Sequence, residues 1–176
     1  MDRFIDAVIA TADHVGAKRR SQKRVNLSFD EWNVWYQHDF VGHTNLGLER
    51  LPRLIEDTYS VADAVAIGGF LNAFLRHADR VKIACQAQLV NVIGLIRTEA
   101  GGPAWRQTIF HPFAQTARLA HGTALRVEPK GAQHETALHG LVDTVDAAAA
   151  AQSLRRSSAR ANNSASFASF PAASRT

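Results

Sequence analysis

The clearest pattern of apolar and polar positions predicts a strand, a helix and a second strand. Apolar and polar residues alternate over 24–31, and a period of two is typical of a strand. Ser60, with Asp63 three positions later, predicts the N-cap of an apolar helix that ends near His77. The short apolar run over 80–85 predicts a second, buried strand. These three elements, in this order, predict a parallel βαβ unit.

The rest of the chain shows weaker patterns. Apolar residues at spacings of three and four predict an amphipathic helix over 2–20, and another helix is predicted over 108–119. Residues 122–127 and 141–147 are predicted as strands of a separate antiparallel layer. The segments between them are predicted to be irregular: a long loop over 32–59, and a loop with a short helix over 88–105 that breaks at Gly101-Gly102-Pro103.

The basic charge of the chain belongs to its last residues. There are 20 Lys and Arg against 16 Asp and Glu, a net charge of +4. Four arginines follow Ala151 and no acid follows Asp146, so the preceding part holds 16 charges of each sign and is formally neutral. Ser, Ala, Arg and Asn dominate 151–176, which predicts a disordered tail. We expect no nucleic-acid partner, and binding through this tail is the weakest alternative.

Several classes of protein and site are not expected. Cys85, the single cysteine, excludes an internal disulfide, and its apolar neighbours predict a buried thiol. No apolar stretch reaches the roughly 18 residues of a membrane span. The eight histidines include no His-x-x-x-His pair, so no metal site is expected. The early acidic residues are unlike a signal peptide, and we expect a cytoplasmic protein without a membrane partner.

Candidate chemistry follows the first predicted strand. It ends in Asp30 and Glu31, and Trp32, Trp35 and Tyr36 come next. Ligand chemistry gathers at the carboxyl ends of parallel strands. A carboxylate beside flat rings suits sugar cleavage, because the acid can attack the anomeric carbon while the rings cover the sugar's C–H surface. An ordinary strand end with capping acids and core aromatics fits the same pattern, which alone leaves both interpretations open.

Longer segments carry a resemblance to a known family. The segment from Val25 to Tyr36 resembles the nucleophile strand of the alpha-L-arabinofuranosidases of glycoside hydrolase family 51. The similarity runs from about residue 1 to about residue 150. It is also carried by five further segments, at residues 59–64, 68–72, 77–85, 87–93 and 105–110.

The resemblance implies a fold and a reaction. The fold is α/β: the last two βα units of a (β/α)8 barrel over 1–121, then the start of an antiparallel β-sandwich over 122–150. The tail over 151–176 departs from the family, which suggests a reading-frame error or a premature end. The implied reaction is retaining hydrolysis of terminal non-reducing alpha-L-arabinofuranosyl residues in arabinan or arabinoxylan, without a cofactor. The implied partners are such oligo- or polysaccharides, and the family tends to form homo-oligomers.

The resemblance also implies site residues. Glu31 matches the nucleophile, Gln88 matches a glutamine that contacts arabinose, and Trp35 matches an aromatic lining the sugar pocket. Asp30 is a poor second acid, because adjacent strand residues diverge unless a bulge intervenes. The family's acid/base is a glutamate that follows an asparagine, and the chain contains no Asn-Glu dipeptide. We therefore expect the isolated chain to be nearly inactive. The alternative is a non-catalytic chain that associates with a complementary fragment or a full-length homologue.

Overall fold

The computed structural model describes residues 1–36, 55–152 and, for the backbone alone, 165–171. Most of the long loop predicted over 32–59 therefore lies outside the described residues. Within them the elements, in chain order, are α1 (Asp2–Lys18), β1 (Leu27–Trp32), α2 (Val61–Arg76), β2 (Val81–Gln86), β3 (Ile96–Thr98), β4 (Ala104–Arg106), α3 (Phe110–Leu119), β5 (Thr123–Leu125), β6 (Gln133–Thr136), β7 (Gly140–Asp143), β8 (Val145–Ala151) and β9 (Ala165–Pro171).

The predicted parallel unit is confirmed, since β1 pairs with β2 in parallel and α2 connects them. The start of α2 is fixed by a capping box: the Ser60 side chain accepts from the Asp63 backbone, and the Asp63 side chain accepts from the Ser60 backbone. The helix packs on the sheet through aromatic contacts. The ring of Phe74 lies 4.8 Å from that of Phe29 and 5.0 Å from that of Trp32. This apolar layer joins the helix to β1.

The other face of the two-stranded sheet is open among the described residues. Val81 is buried in β2, but Ile83 is 53% exposed and Cys85 is exposed. The prediction of a fully buried strand with a buried thiol is therefore wrong. An apolar run cannot show that only one face of its strand is covered by a helix.

Helix α1 packs beside α2 and is held by ion pairs. Ile5 is fully buried in the core shared with α2. The guanidinium of Arg76, at the end of α2, donates from two nitrogens to Asp2, each at 3.0 Å. The buried Arg80 donates from two nitrogens to Asp13, each at 2.8 Å. Arg80 also donates to the Val25 carbonyl, so it joins α1 to the chain entering β1.

The predicted short helix within 88–105 is replaced by the antiparallel hairpin of β3 and β4. Its turn lies at the predicted break, where Gly101 adopts a positive φ of 68°. The Glu99 amide donates to the Pro103 carbonyl across that turn at 3.1 Å. The sequence therefore predicted the position of the turn and missed the strands, which are only three residues each.

The carboxy-terminal half forms the expected antiparallel layer. One sheet has the strand order β5-β8-β9, and β6 and β7 form a separate hairpin. The strand predicted over 141–147 is split between β7 and β8. Four consecutive alanines, 147–150, are buried where β8 meets Leu75 of α2 and Leu119 of α3. Their small side chains let the strand approach the helices closely.

The prediction of a disordered tail is wrong for residues 165–171. These residues form β9, which pairs antiparallel with the whole of β8 from Val145↔Pro171 to Ala151↔Ala165. The composition of residues 165–171 does not predict this strand. The strand is formed by backbone hydrogen bonds to β8, and almost any sequence can make such bonds. Residues 153–164 and 172–176 lie outside the described part of the chain.

Candidate active site at the ends of β1 and β2

The predicted nucleophile and the predicted sugar-binding glutamine are brought to one edge of the parallel sheet. Trp32 pairs with Gln86 at the carboxyl ends of the two strands, and the Ala87 amide donates to the Trp32 carbonyl at 3.1 Å. Glu31 directly precedes this ladder contact and Gln88 directly follows it. The parallel register therefore places both residues where sheets of this kind carry ligand chemistry.

An irregularity in β1 changes how its two acids are presented. Phe29 pairs with Ala84 and Trp32 pairs with Gln86, so β1 holds one residue more than β2 across this interval. A bulge of this kind interrupts the alternation of the two faces. Trp32 rather than Glu31 is buried against α2, and both Asp30 and Glu31 are exposed. Because of this bulge, strict alternation does not hold the side chains of Asp30 and Glu31 on opposite faces of the sheet.

The two acids differ in their hydrogen bonds. The Ser28 hydroxyl donates to the Asp30 carboxylate, two positions along the same strand. Glu31 has no hydrogen bond or ion pair within the part of the chain that the structure describes. An exposed carboxylate without a local donor keeps its oxygens free for a ligand. Glu31 suits a nucleophile better than Asp30.

Gln88 lies on a tight loop that turns back on itself after β2. Its backbone amide donates to the Ile93 carbonyl at 3.3 Å, and the Leu95 amide donates to the Gln88 carbonyl at 3.2 Å. The peptide bond between Ala87 and Gln88 is cis. The Gln88 side chain is exposed. The backbone of this residue is thus fixed while its amide group points to the solvent side of the loop.

Asn33 ties that loop to the end of β1, and sequence reasoning did not identify it. Its side-chain nitrogen donates to the carbonyl oxygens of Ala87 and of Ile93, the latter at 2.7 Å. Its side-chain oxygen accepts from the Val34 amide at 2.8 Å. Two of these bonds hold carbonyl groups on either side of Gln88. The only sequence signal is that an asparagine stands two positions after Glu31.

The aromatic residues after β1 have separate roles. Trp32, unassigned by sequence, is buried against Phe70 and Phe74 of α2, which makes it a core residue. Trp35 is 51% exposed, close along the chain to Glu31. An exposed indole is suited to contact the apolar face of a sugar. The role of Trp35 in lining the sugar pocket stays a prediction.

The chain beyond Trp35 is fixed to the cap of α2. The Tyr36 hydroxyl donates to Asp63 at 2.6 Å, and the Tyr59 hydroxyl donates to the Val34 carbonyl at 3.1 Å. The hydrogen bond to the Asp63 carboxylate, with some burial, raises the pKa of the Tyr36 phenol above its usual value. Burial, with Asp57 nearby, raises the pKa of Tyr59. Both phenols therefore stay protonated and act as donors.

The buried side chain of Gln107 makes a second set of hydrogen bonds that fixes the loops near the site. Its side-chain nitrogen donates to the carbonyl oxygens of Gly94 at 2.8 Å and Asp57 at 3.2 Å, and its side-chain oxygen accepts from the Tyr59 amide. The residue is buried, so these bonds satisfy polar atoms that water does not reach. Gln107 fixes the loop that carries Gln88 to the segment that enters α2.

No set of three or more His, Cys, Asp or Glu side chains is placed to hold a metal ion in residues 1–36 and 55–152. No helix in the described ranges has the length and apolar content needed to cross a membrane.

Comparison with known proteins assigns the chain to a family. Residues 30–172 match the family described as alpha-L-arabinofuranosidase C-terminal domain. The chain belongs to the alpha-L-arabinofuranosidase family. It is similar to an intracellular exo-alpha-(1->5)-L-arabinofuranosidase of Streptomyces lividans, with 51% identity over 88% of this chain and 24% of the relative. It is 48% identical to an exo-alpha-(1->6)-L-arabinofuranosidase of Bifidobacterium longum, over 85% of this chain and 29% of that enzyme.

A solved structure supports the same assignment. The chain resembles a family 51 alpha-L-arabinofuranosidase from Bifidobacterium longum with a TM-score of 0.77 and 41% identity, covering 85% of this chain and 30% of that structure. The family predicted from sequence is confirmed. The chain spans less than a third of each of these relatives. The family match continues to residue 172, so the expectation that the tail departs from the family after residue 150 is wrong.

Proposed function

We propose that Glu31 is the nucleophile of a retaining alpha-L-arabinofuranosidase and that Gln88 and Trp35 contact the sugar it attacks. The observation that supports this proposal is the parallel pairing of β1 and β2, whose carboxyl ends, near Glu31 and Gln88, lie at one edge of the sheet. The exposed carboxylate of Glu31 and the exposed ring of Trp35 support it. Membership of the family supplies the reaction class.

The proposed reaction has two displacement steps. The Glu31 carboxylate attacks the anomeric carbon, the bond to the departing oxygen breaks, and a second carboxylic acid gives that oxygen a proton. Water then hydrolyses the glycosyl ester, with the second carboxylate as base. The two groups must lie about 5–5.5 Å apart on opposite sides of the scissile bond. Asp30, adjacent to Glu31 in the same strand, does not supply that opposed geometry.

The fold proposal is that residues 1–121 form the last two βα units of a (β/α)8 barrel and that residues 122–150 begin a β-sandwich. The parallel β1-α2-β2 unit supports the first part, and the antiparallel layer of β5 and β8 supports the second. The pairing of β9 with β8 extends the proposed sandwich to residue 171. A (β/α)8 barrel closes with eight strands, so a pocket around Glu31 needs strands beyond these two.

The proposed substrates are terminal alpha-L-arabinofuranosyl groups on oligo- or polysaccharides of the arabinan and arabinoxylan type, with no cofactor. The relatives are named for alpha-(1->5) and alpha-(1->6) linkages, so the linkage is left open. Because the Streptomyces lividans relative is named intracellular, we place the activity in the cytoplasm.

A paired assay tests the proposal. The purified 176-residue chain is assayed on a chromogenic alpha-L-arabinofuranoside, alone and co-expressed with the part of the Streptomyces lividans relative that precedes its match to this chain. We expect negligible hydrolysis by the chain alone and hydrolysis by the pair. Glu31→Gln removes the attacking carboxylate, and it should lower the rate of hydrolysis by the pair on the order of 10³-fold or more.

Asp30→Asn is the matched control, since it neutralises the neighbouring acid in the same strand. It should retain hydrolysis within about tenfold of the parent pair. Full activity of Glu31→Gln would refute the nucleophile assignment. Near-normal turnover by the chain alone would refute the proposal that it lacks its proton donor.

A further inference from the structure

Trp105 is an exposed indole that the proposed site does not use. It lies in β4 and is 41% exposed. Arg97 of β3 pairs with it across the hairpin, so the two side chains lie on one face. Arg106, the next residue along β4, lies on the other face, and its guanidinium carbon is 4.7 Å from the ring centroid of Phe110 in α3. Trp105 therefore lies on the face of the hairpin that is turned away from α3.

The face that carries Trp105 packs against the segment that precedes α2. Gln107, two positions after Trp105, is buried there and donates to the Asp57 carbonyl at 3.2 Å. The guanidinium of Arg97 donates to the Thr58 hydroxyl at 2.7 Å. Trp105 lies at the outer end of this face, where burial is incomplete. Its backbone is thus fixed by the packed part of the hairpin while its ring stays accessible.

The same segment also leads to Trp35. The Asp57 carboxylate accepts from the Tyr36 amide at 3.3 Å, and Tyr36 directly follows Trp35. One short stretch of chain therefore contacts both the hairpin face of Trp105 and the residue next to Trp35. The two exposed indoles belong to one side of the fold, the side on which the proposed site lies.

Trp105 lies two strand positions beyond the loop that presents Gln88. Ile96 of β3 bridges in parallel to Val90, two residues after Gln88, and β4 pairs with the other side of β3. Neighbouring strands are about 4.8 Å apart, which sets the Trp105 backbone on the order of 10 Å from that of Val90. An indole at this distance is placed beyond the sugar that Gln88 is proposed to contact.

The proposed reaction requires a place for a second sugar. Release of a terminal sugar breaks its bond to the next one, and the nucleophile attacks from the side opposite to that bond. The next sugar therefore lies outside the pocket, beyond the groups that contact the attacked sugar. Sugar rings present apolar C–H faces, and an exposed indole is a flat apolar surface that covers such a face.

We infer that Trp105 binds the sugar residue from which the arabinofuranosyl group is released. The inference rests on the proposed function and deepens it, because a ring in this place favours a saccharide over a small leaving group. The hairpin is also tied to the Gln88 loop, since the Thr98 amide donates to the Asn91 side chain at 2.8 Å. The position of the Trp105 ring is therefore coupled to that of Gln88.

Hydrolysis of two substrates tests this site. The 176-residue chain is joined, in one polypeptide, behind the part of the Streptomyces lividans relative that precedes its match to this chain. One substrate is alpha-(1->5)-linked arabinotriose, whose leaving group is a disaccharide. The other is methyl alpha-L-arabinofuranoside, whose leaving group contains no sugar. We expect Trp105→Ala to lower kcat/KM for arabinotriose on the order of tenfold and to keep kcat/KM for the methyl glycoside within about twofold of the parent value.

Two further variants serve as controls. Trp105→Phe keeps an aromatic ring and should retain kcat/KM for arabinotriose within about threefold of the parent value. Leu138→Ala removes a side chain that is 87% exposed at the turn between β6 and β7, and it should leave both substrates unaffected. Equal losses on the two substrates in Trp105→Ala, or no loss on arabinotriose, would overturn the inference.

The outcomes separate this inference from the proposed function. Hydrolysis of both substrates at rates that do not depend on Trp105 would keep the catalytic proposal and refute the second sugar site. A folded parent polypeptide that hydrolyses neither substrate would contradict the catalytic proposal. Binding then tests the site by nuclear magnetic resonance: the indole N–H signal of Trp105 should shift with arabinotriose and stay in place with the methyl glycoside. An unchanged signal would refute the second sugar site as well.

Discussion

The side chain of Asn33 donates a hydrogen bond of 2.7 Å to the carbonyl oxygen of Ile93, sixty residues further along the chain. The same nitrogen donates to the carbonyl of Ala87, the residue before Gln88. The Ile93 carbonyl also accepts from the Gln88 amide. One amide group therefore joins the end of β1 to both sides of the loop that presents Gln88, so the relative position of Glu31 and Gln88 depends on it.

The first prediction concerns this clamp. Asn33→Asp keeps an acceptor for the Val34 amide but removes the donor and sets a carboxylate against two carbonyl oxygens. We expect the free energy of unfolding to fall by about 1–3 kcal/mol, because partly buried acceptors lose their partner. Urea denaturation measures this loss. Hydrogen exchange at the Leu95 amide, which donates to Gln88, should quicken as the loop loosens.

Gln133→Glu provides the matched control, since it makes the same amide-to-acid change in an exposed side chain that bonds Asp143. It should change stability by no more than about 0.5 kcal/mol and leave exchange at Leu95 unaltered. Equal effects of the two substitutions would show that Asn33 is not a clamp.

The comparison of sequence with structure shows which features a local pattern can carry. The capping box at Ser60 was predictable because its partners are three residues apart. The shared edge of Glu31 and Gln88 followed from the parallel βαβ order. The clamp by Asn33 was not predictable, because its acceptors lie 54 and 60 residues away. The bulge before Trp32 depends on the register with β2, which alternation within β1 alone does not contain.

The second prediction concerns acid stability. Hydrogen bonding to the Arg80 guanidinium lowers the pKa of the Asp13 carboxyl below its ordinary value of 3.8. The folded chain therefore holds Asp13 charged where the unfolded chain would protonate it. This contribution to stability is complete above the ordinary pKa and is lost as pH falls from there through the lower folded pKa. Urea midpoints between about pH 5 and pH 2 should fall less in Asp13→Asn than in the parent.

Asp143→Asn is the control, because it makes the same acid-to-amide change on the hairpin of β6 and β7 and leaves the pair of Asp13 and Arg80 intact. Its midpoints should follow the parent curve. A parent curve and an Asp13→Asn curve of the same slope would contradict the coupling of Asp13 to Arg80.

The third prediction concerns the chain's two tyrosines. Both Tyr36 and Tyr59 have a raised pKa, the first through its bond to the Asp63 carboxylate and the second through burial. Their contribution to stability is complete below the unfolded pKa of about 10 and is lost as pH rises through the folded values. Ultraviolet absorbance at pH 10 should therefore show little phenolate in the native chain and about half ionisation in denaturant.

Tyr36→Phe separates the two groups. It should remove the part of the alkaline transition that belongs to Tyr36. The remaining phenol, that of the buried Tyr59, should still resist ionisation at pH 10. Half-ionised tyrosines in the native parent at pH 10 would contradict the hydrogen bond to Asp63 and the burial of Tyr59 together.

The fourth prediction concerns the contact between β8 and the helices. Ala149 is 2% exposed and faces Leu75 and Thr116 across a hollow of about 10 Å³, too small for three more carbon atoms. Ala149→Leu should therefore lower the free energy of unfolding by about 1–3 kcal/mol through overpacking. Ala137→Leu, at the exposed turn between β6 and β7, adds the same atoms in open solvent and should change it by no more than about 0.5 kcal/mol. Thermal denaturation of the two variants beside the parent measures the difference. An Ala149→Leu midpoint equal to that of Ala137→Leu would mean that β8 does not pack on α2 and α3 as closely as its run of buried alanines requires.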